Sequence, residues 1–394
     1  MARILIIAYT AYARDGRVKR QAEALTSRGD HVEAICLADG EVGDTHGVHV
    51  TGISLPRYRG ASRINYLRSY INFFTRAAAL AVRRSMKQPY DIVIACTMPD
   101  AAILSALPCR LFGSKLVLDV HDTMPELYLD KFGGRHGRIG AWMLMFQERM
   151  SARLADQVLA CHDLHAERLH ESGIPQRKLV VVTNSPDPRI FPLPDPESLP
   201  RIVRTKPEGE PFSIICHGTI SRRLGLDTAL AALSMLHNRF PLIRLRIIGA
   251  GDYLDQVKVL SRKLGVEAAV SFENPVPIQH LAEKIGEAQV GLVPNHASSA
   301  THLMLPVKLL EYVACGIPVI CARLRTVEHY FNEQSVRFFS PNNPAQLAHA
   351  IEDVYLDPAL RDQLATSAAK VVQSISWPIQ SQRFRQAVDS LLNV

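Results

Sequence analysis

Short apolar runs rich in β-branched residues alternate along this chain with longer segments whose apolar positions recur at three- and four-residue spacing. The short runs are too brief for helices and read as buried strands, while the longer segments read as helices with one apolar face. In the first half, strands are predicted at Ile4 to Tyr9, His31 to Leu37, His49 to Leu55, Asp91 to Cys96, Lys115 to Val120, Gln157 to Cys161 and Leu179 to Val182. Helices are predicted between them at about Arg17 to Arg28, Ile64 to Met86, Ala101 to Leu111, Arg138 to Leu154 and Leu164 to Glu171. Such alternation implies parallel pairing through right-handed crossovers, a doubly wound α/β domain with its ligand edge at the carboxyl ends of the strands.

Between Pro192 and Pro211 the pattern stops: six prolines and several charges predict a linker. A second series follows, with strands at Phe212 to His217, Leu245 to Ile248, Val270 to Phe272, Val290 to Pro294 and Pro318 to Ala322. Its helices are predicted near Gly225 to His237, Tyr253 to Leu264, Ile278 to Glu287, Val307 to Cys315, Pro344 to Tyr355 and Pro358 to Gln373. The expected organisation is a first domain over 1–191, a linker over 192–211, a second domain over 212–375 and a C-terminal helix over 376–394. Two such domains are expected to face each other across a cleft.

Four stretches place polar chemistry at predicted strand ends. In Leu305 to Arg323, Pro306 opens a helix in which Glu311 follows Lys308 by one turn. A carboxylate there can accept hydrogen bonds from sugar hydroxyls, and backbone N–H groups at the helix start, from Val307 on, can hold phosphate. The same spacing also makes an ordinary i, i+3 ion pair on a solvated face. In His217 to Asp227, Gly218 and Thr219 lead into a loop carrying Arg222 and Arg223, and a helix start follows. That suits a departing diphosphate, although two solvated loop arginines would look the same.

In Leu245 to Tyr253, Gly249 and Gly251 at a strand end let backbone approach a ligand closely. The G-x-G also fits a plain βα turn or a nicotinamide site; the latter calls for a third glycine where Leu254 stands. In Leu118 to Tyr128, the residues Asp119, His121, Asp122 and Glu126 gather at a strand end, where an imidazole and carboxylates can bind hydroxyls and take a proton. The alternative for His121 is a satisfied interior histidine.

Pro306, Lys308, Glu311, Tyr312, Ala314, Gly316 and Pro318-Val319 together resemble the nucleotide-sugar signature of the retaining glycosyltransferases of family 4, also called glycosyltransferase group 1. The resemblance continues in order along the chain: Asp15-Gly16-Arg17-Val18, the His121-Asp122 segment with its Pro-Glu, Glu148, Ala155-Asp156, Asn184 and Ser376-Trp377. It implies the two-Rossmann fold known as GT-B and transfer with retained anomeric configuration by a front-face route. It also implies a nucleotide-diphosphate sugar as substrate, with no cofactor. Glu311 would bind the ribose, Gly16 and Arg17 would face the donor phosphates, Arg223 would hold the diphosphate, and His121 would contact the donor sugar or acceptor. No Asp-x-Asp triplet occurs, so no metal-bound diphosphate is expected.

The chain departs from the family pattern in three places. An arginine and a lysine usual in the diphosphate loop are Thr219 and Leu224 here, with Arg222 and Arg223 as near substitutes. The first of two family glutamates is Leu303, so neighbouring backbone amides, Thr301 or His302 are expected to take over its contact with the sugar. A nucleotide-sugar epimerase of the same fold, or a non-catalytic nucleotide-sugar-binding relative, stays open as an alternative.

Composition bears on the surroundings. An apolar content of 47% with 21% charged residues is ordinary for a globular protein, and no run approaches a membrane span. Seven cysteines without a C-x-x-C pair argue against a disulfide framework or zinc site and for a reducing cytoplasm. The start, from Arg3 to the Ala-Tyr-Ala, mimics a weak secretory leader but is read as the first strand.

Charge is concentrated in one segment. Arg57, Arg59, Arg63, Arg68, Arg76, Arg83, Arg84 and Lys87 occur with no acidic residue between them, whereas the whole chain carries a net charge of +7. The predicted helix there has an apolar stripe through Ile64, Leu67, Ile71, Phe74, Ala78 and Val82, flanked by Tyr66, Tyr70 and Phe73. Arg76, Arg83 and Lys87 fall opposite. A basic helix with aromatics suits an anionic membrane surface, which would bring the protein to a glycan or polyprenyl-diphosphate-linked acceptor on the inner face of the cell membrane. Without a recognised binding module, a nucleic-acid partner is not expected. UDP- or GDP-sugar remains open as donor, and bacterial polysaccharide or O-antigen assembly is the expected setting.

Overall fold

The computed structural model describes residues 1–39, 42–55, 63–193, 195 and 209–392. They form two compact units, one of Met1–Asn184 joined by the chain from Pro378 on, the other of Ser185–Trp377.

The first unit contains β1 (Arg3–Ala11), β2 (His31–Leu37), β3 (Gly43–Thr45), β4 (Val48–Ile53), β5 (Ile92–Cys96), β6 (Lys115–Val120), β7 (Gln157–Ala160) and β8 (Leu179–Val181). Their order in the sheet is β3-β4-β2-β1-β5-β6-β7-β8. All neighbours are parallel except β3, a short antiparallel edge strand that the pattern did not predict. The chain runs outward from β1 to β4 and then returns to β5 on the other side of β1. That reversal opens a crevice at the carboxyl ends of β1 and β5.

Leu5, Ile7, Val93, Ala95, Leu116 and Leu118 line one sheet face and are covered by Phe73, Ala77, Ile103, Ala106 and Ala152. The C-terminal helix, Trp377–Leu392, belongs mostly to this unit: the Thr183 N–H donates to Gln380 Oε1 at 2.9 Å, and Arg28 pairs with Asp389.

The second unit contains β9 (Phe212–Thr219), β10 (Ile243–Ala250), β11 (Val270–Glu273), β12 (Val290–Val293), β13 (Val319–Ala322) and β14 (Arg337–Phe339). They form a parallel sheet in the order β11-β10-β9-β12-β13-β14, reversing between β9 and β12. The three-residue β14 and the helix Arg325–Tyr330 were too short to leave a periodic signal.

One domain boundary differs from expectation. Segment 185–191 belongs with the second unit, because Phe191 is buried in that unit's core. The predicted linker lies mostly outside the described residues, as do Arg57 and Arg59.

Helix Arg63–Ser85 also differs, in its orientation. Phe73, Phe74, Ala77 and Ala81 are buried, with Tyr9 meeting Tyr70 and Phe73 at ring distances of 4.9 and 5.2 Å, whereas Leu67 and Ile71 face solvent. The aromatics expected to flank an apolar stripe therefore form the packed face. Arg84 turns inward as well, pairing with buried Glu33 at 2.7 Å and donating to Thr51 Oγ1 at 2.7 Å, so it cannot serve as a membrane contact. Burial pushes the Glu33 carboxyl up, but Tyr90, Arg3 and Arg84 outweigh it and hold the group below its ordinary range. Arg68, Arg76, Arg83 and Lys87 are exposed.

Candidate functional site

In the second unit the reversal point is built from the ends of β9 and β12 and from helix Val307–Ala314. Pro306 caps that helix; the Leu309 N–H donates to the Pro306 carbonyl at 3.0 Å, which leaves the amides of Val307 and Lys308 as the donors of the helix start. Glu311 lies one turn in and is nearly buried, with Oε2 at 2.8 Å from His217 Nε2. The His217 N–H donates to the Tyr312 hydroxyl at 3.0 Å, and the two rings meet edge to face at 5.0 Å. Lys308 Nζ reaches within 3.8 Å of Cys216 Sγ.

The solvated ion-pair alternative for Glu311 thus fails. Its partner is a histidine 94 positions away in sequence, brought to it by the β9–helix packing. The histidine stood in the loop motif as a strand-end residue, but its role had no local signal.

Beside this pair, Gly218 and Thr219 are exposed at the end of β9 and Arg222 is exposed in the following 3-10 turn. Arg223 is half-buried: its carbonyl accepts the His296 N–H at 3.0 Å, and Nη1 lies 3.8 Å from Met304 Sδ. His296 Nε2 is 2.8 Å from Asp227 Oδ1. Burial pushes the Asp227 carboxyl up, but His296 and backbone amides outweigh it and lower its pKa.

Gly225 between the turn and helix Leu226–Leu236 has φ 72°, and a Cβ there would lie 1.9 Å from the Pro294 carbonyl oxygen. Gly249 and Gly251 have a different reason from the one expected. A Cβ on either would lie 1.9 Å from the carbonyl oxygen of Gly218 or Ile220, so they admit the neighbouring strand end. The resulting pocket of about 320 Å³ is lined by His217, Gly218, Thr219, Ile248, Gly249, Ala250, Pro275, Val276 and Leu281. His217 Nδ1 at this pocket, and Ser221 Oγ in the loop that follows β9, are buried without hydrogen-bond partners.

Thr301 and His302 do not keep the role expected of them. Thr301 is buried, its hydroxyl bonded to the His296 carbonyl at 2.6 Å and to the Ser298 N–H at 2.8 Å in a capping box. His302 Nδ1 accepts the Arg325 N–H at 3.2 Å and its carbonyl accepts the Thr326 hydroxyl at 2.8 Å. Both are committed to holding the turn before helix 307–314.

In the first unit, Asp15 caps helix Gly16–Thr26 by accepting from the amides of Arg17 and Val18, each at 3.2 Å. Arg17 Nη1 is buried without a partner. At the end of β6, His121 Nε2 lies 2.8 Å from Asp119 Oδ2, which also accepts from Gln21 Nε2 at 2.9 Å. The His121 N–H donates to Thr97 Oγ1 at 3.0 Å. Burial pushes the Asp119 carboxyl up, but the charge and hydrogen bond of His121, with Arg17 and Gln21, hold it below its ordinary value. Asp122 is exposed at the same edge.

Glu126 is not part of this edge chemistry. It forms a two-pronged pair with Arg168, at 2.9 and 3.1 Å, and Arg168 also binds buried Glu148.

Among the described residues one group has metal-ligand spacing: Cys96, Asp119 and His121 offer atoms within 4.8 Å of one another. Burial, with the Asp119 charge, pushes the Cys96 thiol well above its ordinary value, and the Arg17 charge bears on the same spot.

Comparison with known proteins covers both units. Residues 16–185 match the family described as glycosyl transferase 4-like domain, and residues 201–371 match glycosyl transferases group 1. The chain is 25% identical over 241 residues to the putative colanic acid biosynthesis glycosyltransferase WcaL of Escherichia coli, covering 61% of this chain and 57% of that protein. It is 30% identical over 132 residues to a GDP-mannose-dependent phosphatidylinositol monomannoside mannosyltransferase of Mycolicibacterium smegmatis, covering 33% and 35%. The chain thus spans less than two thirds of the length of these relatives.

In structure it is similar to HepE of Anabaena, crystallised with UDP and glucose, with a TM-score of 0.71 at 16% identity over 99% of this chain and all of that one. The two doubly wound units and the matches along nearly the whole sequence place the chain in the group 1 glycosyltransferase family, with the GT-B fold.

Proposed function

We propose that this protein is a metal-independent glycosyltransferase that moves a sugar, with retained anomeric configuration, from a nucleotide-diphosphate sugar to a glycan or lipid-linked acceptor. The observation that carries the reading is the buried Glu311–His217 pair at 2.8 Å, set at the reversal point of the second sheet beside an open pocket. A carboxylate oriented by a histidine is equipped to accept both hydroxyls of a ribose. The 320 Å³ pocket suits the attached base.

The diphosphate would lie against the first-turn amides of helix 307–314 and the guanidinium groups of Arg222 and Arg223, with Lys308 assisting. As the bond between the anomeric carbon and the diphosphate oxygen breaks, the arginines take up the charge developing on that oxygen. The acceptor hydroxyl oxygen bonds to the same face of the anomeric carbon, and its proton passes to the departing phosphate. His121, oriented by Asp119, and Asp122 serve acceptor or sugar hydroxyls at the ligand edge of the first unit. The donor is a UDP- or GDP-sugar: HepE is crystallised with UDP, and the Mycolicibacterium relative uses GDP-mannose. The relationship to WcaL favours bacterial polysaccharide assembly, with the protein peripheral on the inner membrane face.

Calorimetric titration of UDP, GDP, ADP and NAD into the wild type and Glu311→Ala, with and without EDTA, tests the donor site. Micromolar binding of one diphosphate, indifferent to EDTA and weakened in the variant, is expected. Binding of NAD alone, or of none of the four, overturns the reading.

A further inference from the structure

Helix Gly134–Leu154 is inverted relative to a helix packed for solution. Its inward positions are small: Gly137, Ala141, Ser151 and Ala152 are buried. The large apolar side chains point out, with Ile139, Trp142, Met143, Phe146 and Met150 exposed at three- and four-residue spacing and Trp142 at 64%. Trp142 and Phe146 stack at 6.4 Å, forming an aromatic ridge at the middle of that face. Among the described residues, the other exposed positions of the helix beyond its first residue are arginines, Arg135 and Arg138 toward one end and Arg149 and Arg153 toward the other. The helix has one acidic residue, Glu148, and it is buried.

The surroundings continue the pattern. Helix Arg63–Ser85 and the segment 100–112 pack on the same sheet face, and they add exposed Leu67, Ile71, Leu104 and Leu111. Along these two segments the single acidic residue, Asp100, is buried. No helix among the described residues is long and apolar enough to cross a membrane.

We infer that this helical face of the first unit is a docking surface for an anionic lipid bilayer, with helix 134–154 lying in the plane of the interface. Its 21 residues give a footprint of about 31 Å. The aromatic and methionine side chains enter the boundary between headgroups and acyl chains, while the arginines at both ends reach lipid phosphates. Charge decides for a bilayer over a protein partner: among the described residues, every charged group exposed along the three segments is basic, a distribution that matches a uniformly negative sheet. The role assigned above to helix 63–85 becomes secondary, since its outward face mixes Leu67 and Ile71 with Asn72, Thr75 and Arg76. This inference deepens the membrane part of the proposed function and is independent of the donor site.

The test is co-sedimentation of the full chain with phosphatidylcholine vesicles, with and without phosphatidylglycerol. Trp142 fluorescence is followed in a Trp377→Phe background. Binding only to the anionic vesicles is expected, with a blue shift of Trp142 and weakening at high salt. Trp142→Glu with Phe146→Glu, and Arg135→Glu with Arg138→Glu, should each weaken binding by roughly tenfold or more while nucleotide affinity is kept. The sedimentation comparison stands even if the Trp377 variant folds poorly.

Unchanged binding in both double variants overturns the inference, as does binding abolished by Arg68→Glu with Arg76→Glu alone. Absence of vesicle binding also overturns it. So does self-association that Trp142→Glu with Phe146→Glu abolishes, which would make the face a protein interface.

Discussion

His217 and Glu311, separated by 94 positions, meet through Nε2 and Oε2 at 2.8 Å inside the second unit. If the histidine orients the carboxylate for a ribose, the two act as one element and their losses will not add. Glu311→Ala is expected to weaken nucleotide binding about 10- to 100-fold, the size of one or two charge-assisted hydrogen bonds. His217→Ala should cost less, and the double variant no more than Glu311→Ala alone. Calorimetry on the three variants checks this, and additive losses would separate the two residues.

Arg222 and Arg223 should matter for the diphosphate and its departure rather than for the nucleoside. Each change to alanine is expected to lower kcat about 100-fold, as for loss of one donor to a developing oxyanion, with the larger loss at the half-buried Arg223. Nucleoside monophosphate affinity should stay constant while diphosphate affinity falls. Steady-state kinetics beside paired titrations of the two nucleotides decide the point.

Asp119→Asn separates orientation from binding in the first unit. It should lower kcat while leaving nucleotide affinity in the second unit unchanged. Stability also has a defined pH dependence, because the folded carboxyl is held below its ordinary value. That contribution is full above the unfolded pKa of about 3.9 and is lost as pH falls through the folded value. Melting curves of wild type and variant should therefore differ at neutral pH and converge in acid.

Asp100 has the opposite sign. It is fully buried, neither oxygen has a hydrogen-bond partner, and burial, aided by Glu148, Asp122 and Glu126 against Arg168, pushes its carboxyl well up. Between the unfolded pKa and that raised value the unfolded chain gives up the proton first, so stability falls as pH rises. Asp100→Asn removes this slope, and its melting temperature should exceed that of the wild type by a few degrees at pH 8. A lower melting temperature at pH 8 would mean the carboxyl has a partner in solution.

Gly225→Ala tests the turn that presents Arg222 and Arg223. The added carbon would meet the Pro294 carbonyl at 1.9 Å in a backbone with φ 72°, so the turn must move. A loss of about 3 kcal/mol or more in stability is expected from thermal melting, with diphosphate affinity falling alongside.

Sequence alone carried the parts of this protein that depend on local periodicity. Strands β2 and β6 fall on the predicted residues, and most of the others within a residue or two, because a parallel strand buried on both faces is a continuous apolar run. The alternation of strands and helices was enough for two doubly wound domains. The motif around Glu311 stood out because one carboxylate interrupted an otherwise apolar helix.

Tertiary structure decided which side of each element is inside and which polar groups meet. In helix 63–85, Phe73 and Ala77 face the core of the unit because they pack against Tyr9 and the sheet, whereas in helix 134–154 Trp142 and Phe146 face solvent. Glu126 is paired by Arg168 and Thr301 by the turn it caps, while His217 finds Glu311 across the β9–helix contact. Each pairing lowers the cost of burying a polar group. That cost depends on three-dimensional neighbours, which have no fixed spacing along the chain.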